Sequence, residues 1–80
     1  MTEKADMTLS ASVEVAVKKY LANMEGYEVR NLYDLVISEV EASLLSCVMQ
    51  HTGNNQSRTA VVLGLNRGTL RDRLKKYRLM

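Results

Sequence analysis

The chain has 80 residues with one Cys and one His, so its length allows a single domain, and neither a disulfide framework nor a Cys₄ or Cys₂His₂ metal centre can hold it together. No apolar run approaches the ~20 residues that span a bilayer, and the opening MTEKADMTLS lacks the basic-then-apolar order of a secretory signal, so a reduced cytoplasmic protein is expected. The net charge of +2 hides an asymmetry: residues 1–51 carry 4 basic and 8 acidic groups, while residues 52–80 carry 7 basic groups and one acid, Asp72.

Residues 1–9 show no periodicity and are expected to form a flexible tail. A first helix should follow, capped by Ser10 or Ser12. Val13, Ala16, Val17, Tyr20, Leu21 and Met24 recur at helical steps, and Glu14 and Lys18 stand at a favourable i, i+4 spacing. Gly26 is expected to close this helix. A longer helix should run from about Asn31, its cap, to about His51. One apolar stripe on it comprises Tyr33, Val36, Ile37, Val40, Leu44, Cys47 and Val48; a second comprises Leu32, Leu35, Ala42, Leu45 and Met49. A surface helix needs one such stripe, and a chain this short buries too little surface to be stable alone. The second stripe is therefore expected to meet another copy, with Val36, Val40, Leu44, Leu45 and Val48 in the core of a homodimer.

Gly53-Asn54-Asn55 has turn chemistry. A short helix is expected over 56–63, closed by Gly64, and a last helix over 67–77, capped by Asn66, with Leu70, Leu74 and Tyr77 facing inward. This is the pattern of a helix-turn-helix. Ala60 is small where two helices cross closely, Gly64 supplies a positive φ at the turn, and Leu65 and Leu70 are expected to plug the space beneath. The last helix then turns Asn66, Arg67, Thr69, Arg73 and Lys76 outward. Its first residues are those that approach base edges in a major groove. Asn66 can bond adenine through two atoms, Arg67 can fork onto guanine, and Thr69 can meet a thymine methyl. Lys75 and Lys76 lie too far along to read bases and are expected on phosphates. Asn55, Gln56 and Ser57, opening the short helix, form a second phosphate site. Asp72 is spaced to pair with Lys76.

Enzyme chemistry is not expected. Cys47 precedes His51 by one turn but falls on an apolar stripe, where a buried, inert thiol is expected instead of an activated one. Nothing in the sequence calls for a cofactor, a metal ion or a small-molecule substrate. A helical dimer that docks on an acidic protein would share the charge asymmetry, but the Asn66-Arg67-Gly68-Thr69 segment suits base edges. RNA readers use stacking aromatics, and only Tyr77 lies in the basic half.

Residues 54–77, NNQSRTAVVLGLNRGTLRDRLKKY, resemble the C-terminal region of the Fis family of bacterial nucleoid proteins, and residues 31–57 continue that resemblance without a gap. It extends over about residues 10–80. Similar C-terminal segments close the DNA-binding tails of nitrogen-regulator-type enhancer-binding proteins, which stand as the alternative. The Fis resemblance implies an all-α domain over 1–80, with four helices per chain: a tail over 1–9, dimerisation helices over 10–51 and a helix-turn-helix region over 54–80. It implies an intertwined homodimer that bends double-stranded DNA, a nucleoid-associated transcriptional regulator with RNA polymerase as a further partner. Asn66 and Arg67 fall on the family's base-reading positions. Asn55, Gln56, Ser57, Thr69, Arg71, Lys75 and Lys76 fall near the DNA backbone, and Arg73 is placed with them. Two residues depart from the family: Asp72 where Lys is common, and Gly53 where a basic residue is common. The family's N-terminal arm, which touches recombinases, has almost no counterpart, so recombinase stimulation is not expected.

Overall fold

The computed structural model describes residues 8–23 and 30–80. Residues 1–7 of the expected tail, together with Met24 and Gly26, lie outside the described residues. Four helices form, α1 Leu9–Asn23, α2 Leu32–His51, α3 Gln56–Leu63 and α4 Arg67–Lys76, and among the described residues there is no strand. The chain divides into two units, Met1–Val36 and Ile37–Met80, with α2 running through the boundary.

In the first unit, α1 starts earlier than expected. Thr8 is its cap: the Ala11 N–H donates to Thr8 Oγ1 at 3.0 Å, and the Ser12 N–H to the Thr8 carbonyl at 3.0 Å. Leu9 is thus helical and not part of a tail, and Ser10 and Ser12 sit inside the first turn. A hydroxyl at any of the three positions could have capped; the one chosen gains an extra turn. Lys18 and Glu14 form the expected ion pair at 3.3 Å, on an exposed face where such pairs contribute little. α1 has no buried residue. Asn31 precedes α2 with a left-handed φ of 59°, which Asn tolerates, and its carbonyl accepts the Leu35 N–H at 3.0 Å.

The second unit contains the core. Leu45 and Met49 of α2 pack with Ala60 of α3 and with Leu70 and Leu74 of α4; Leu63, Tyr77 and Leu79 press in from the edge. Burying each of the three leucines stabilises by roughly 1.5–3 kcal/mol. This overturns one expectation about α2. Leu45, expected in the dimer core, is only 1% exposed within its own chain and has no surface left for a partner. Leu45 and Met49 of the second stripe pack against the helix-turn-helix, whereas Leu35 of the same stripe is exposed. On the first stripe Tyr33 is 76% exposed and Leu44 49%, with Ile37 and Val40 exposed as well. Val36 and Val48 are half-buried. Cys47 is exposed, not buried. It lies two residues from Leu45 and two from Met49, and ~200° of helical rotation turns it away from the face they share. Leu63 and Leu65 are both half-buried, but it is Leu63, not the expected Leu65, that packs against the core.

Candidate nucleic-acid interface

The turn from α2 to α3 is built by local chemistry. Gly53 and Asn54 both take left-handed backbone, each at φ 66°. Asn55 then returns to extended backbone and caps α3, its Oδ1 accepting the Arg58 N–H at 3.0 Å. The opening N–H groups of a helix have no carbonyl within it to meet. With Arg58 served by the cap, those of Gln56 and Ser57 are left at the helix start.

The turn from α3 to α4 uses Gly64 at φ 75°. Its N–H reaches the carbonyls of Ala60 and Val61, and the Leu65 N–H reaches that of Ala60 at 3.0 Å. A Cβ on Gly64 would meet nothing within 4 Å, so the requirement is conformational and not one of room. Ala60 is buried at the crossing. Asn66 caps α4 as expected, its Oδ1 accepting the Thr69 N–H at 2.8 Å. That cap changes what Asn66 offers outward. A two-atom bond to adenine needs the oxygen and the amide N–H together; the cap takes one of the oxygen's two lone pairs and leaves the N–H₂ donor pair clear.

Helical rotation sorts the rest of α4. Leu70 and Leu74 point into the core. Gly68, Asp72 and Lys75 occupy the opposite line, Arg67 and Arg71 one flank, and Thr69, Arg73 and Lys76 the other. Arg67, Arg71, Asp72, Lys75 and Lys76 are exposed, and Thr69 is half-buried. Asp72 makes no ion pair among the described residues. The expected partner, Lys76, instead holds its ammonium 5.3 Å from the centre of the Tyr77 ring.

Arg73, expected on a phosphate, is held in an ion pair within the chain. Its Nε lies 3.5 Å from Glu41 Oε2, on a carboxylate only 29% exposed. The Tyr77 hydroxyl donates to the other oxygen of the same carboxylate. Glu41 thus fastens the flank and end of α4 to α2. In the sequence it was one of several acids between two apolar stripes, and nothing local marks it, because its partners lie 32 and 36 positions away. The basic residues stand free of acids elsewhere on α4, so its outward surface is cationic apart from Asp72.

Among the described residues no group of His, Cys, Asp and Glu is arranged to hold a metal ion, and no helix is long and apolar enough to cross a membrane. Residues 36–77 match the family described as bacterial regulatory protein, Fis family. The chain is 52% identical over 75 residues to the DNA-binding protein Fis of Aeromonas hydrophila subsp. hydrophila, covering 94% of this chain and 76% of that protein. It is 51% identical over 75 residues, with the same coverage, to the DNA-binding protein Fis of Glaesserella parasuis serovar 5. It is 54% identical over 69 residues to that of Vibrio cholerae serotype O1, covering 86% of this chain and 70% of that protein.

Proposed function

The chain belongs to the Fis family of bacterial regulatory proteins, and from that premise we propose that it binds double-stranded DNA as a homodimer, one helix-turn-helix per major groove. The observation that carries this is α4 itself: a helix capped by Asn66, seated on Leu70 and Leu74, with Arg67 exposed at its start and Lys75 and Lys76 at its end. Arg67 reads guanine through its fork, Asn66 donates from its amide, and Thr69 lies beside them. Arg71, Lys75 and Lys76 grip phosphates, as do Asn55, Gln56 and Ser57. Arg73 contributes less, because Glu41 already holds it. Gly68 supports the same reading. Glycine in a helix is destabilising by ~1 kcal/mol, and a Cβ there would make only an ordinary 3.6 Å contact with Asn66 Oδ1. The fold does not need that glycine, whereas a backbone lying against base edges does.

The homodimer is supported by the uncovered stripe of α2, where Tyr33, Ile37, Val40 and Leu44 are exposed; an apolar row of this kind marks an interface. Val36 and Val48 extend it. Similarity running through α1 and α2, and not only through the C-terminal segment, favours a Fis protein over the detached tail of an enhancer-binding regulator. We read the molecule as a binding protein and not an enzyme, nucleoid-associated in the bacterial cytoplasm, bending its target and regulating transcription, with RNA polymerase a further partner. Electrophoretic titration of duplexes with the bend placed at different positions tests this. Retarded complexes whose mobility depends on that position are expected; no retardation at micromolar protein refutes the reading.

A further inference from the structure

Thr59 is completely buried in α3, and a threonine there brings a hydroxyl that must find a partner. The partner is Thr52, in the turn after α2, whose Oγ1 lies 2.7 Å from that of Thr59. Thr52 Oγ1 is also 3.2 Å from the Met49 carbonyl and 3.2 Å from the Asn55 carbonyl. Each hydroxyl has one proton. The arrangement that satisfies both has Thr59 donating to Thr52 and Thr52 donating to one of the carbonyls, a chain in which each bond polarises the next. The two carbonyls lie at the same distance; donation to that of Asn55 carries the chain across the two left-handed residues, Gly53 and Asn54. The Asn55 carbonyl also accepts the Thr59 N–H at 2.9 Å, while its side chain serves Arg58. Packing alone has no use for this hydroxyl, since valine would fill the same volume.

We propose that Thr59 and Thr52 are a positioning pair for DNA binding: their hydroxyls fix the α2–α3 turn and thereby aim the Asn55 amide and the Gln56 and Ser57 N–H groups at a phosphate. This rests on the DNA-binding reading above. The Gly53 N–H to the Gln50 carbonyl at 3.1 Å and the Asn54 N–H to the Met49 carbonyl at 2.7 Å hold the turn to α2, and the bonds of Thr52 and Thr59 tie its far end to α3.

The test measures duplex affinity against salt concentration for the wild type, Thr59→Val, Thr59→Ser and Asn55→Ala, alongside thermal melting. Thr59→Val is expected to bind about tenfold more weakly per half-site, the scale of one hydrogen bond to a charged group. Its log–log salt slope should stay that of the wild type, because the amide and N–H groups are uncharged and displace no counterions. Thr59→Ser should restore the affinity, and adding Thr59→Val to Asn55→Ala should cost no further affinity. A Thr59→Val protein that melts lower yet keeps wild-type affinity overturns the proposal and leaves Thr59 a packing residue. Should Thr59→Val not fold by circular dichroism, Thr52→Ala against Thr52→Ser supplies the same contrast with the same readings. A wild type that fails to bind duplex overturns the DNA-binding reading; a wild type that binds while the variants keep its affinity overturns the positioning role alone.

Discussion

Replacing Asp72 by Lys should tighten DNA binding and steepen its dependence on salt. Asp72 lies on the line of α4 opposite Leu70 and Leu74, two residues from each, with Gly68 one turn before it and Lys75 and Lys76 just after. Because Asp72 makes no ion pair among the described residues and Lys76 sits against Tyr77, the substitution breaks no bond within the chain. Each chain changes by two charge units. If the new ammonium meets one phosphate, the log–log slope steepens by ~0.9 per chain and ~1.8 per dimer. Raising salt fourfold, from ~50 to ~200 mM, should therefore reduce the variant's advantage over the wild type about 12-fold. Fluorescence anisotropy with one labelled duplex, at four or five salt concentrations for both proteins, measures it. An unchanged slope with equal or weaker binding would mean that position 72 faces away from the duplex, and the assignment of the outward face of α4 would be wrong.

Arg67→Ala should lose ~1–3 kcal/mol per half-site on a preferred duplex and little on random DNA, while Lys75→Ala should weaken both alike; gel shifts on the two duplexes separate these roles. Leu45→Asp and Leu44→Asp, one position apart, should part company: a charge at the buried position destabilises by several kcal/mol and unfolds the second unit, whereas one at the exposed position leaves it folded and abolishes the dimer. Circular dichroism with sedimentation reads both, and a dimeric Leu44→Asp protein would exclude this stripe as the interface. Tyr77→Phe should lower stability by about 1 kcal/mol in urea, for the bond to Glu41, with its DNA salt slope unchanged.

The helix-turn-helix was legible in the sequence because its determinants are local. Gly64 is where a positive φ is needed, Asn55 and Asn66 cap the helices that follow them, and Ala60, Leu70 and Leu74 fall on the buried face. The assignment of α2 was half legible. A period of 3.6 residues reveals two apolar stripes but carries no label saying which neighbour covers each, so Leu45 was assigned to a second copy when it belongs to the chain's own core. Cys47 was misplaced for the same reason. Glu41 and the Thr52–Thr59 pair were invisible because their meaning lies in partners brought together by the fold: one acid among several, and two threonines among polar neighbours.

The most direct test of the central claim is selection of bound duplexes from a random pool by the wild type and by Arg67→Ala. The wild type should enrich two symmetry-related half-sites at a fixed spacing, each with a guanine that disappears when Arg67 is replaced. A single unpaired half-site, an unenriched pool, or the same guanines recovered by the variant would contradict a dimer that reads DNA through the start of α4.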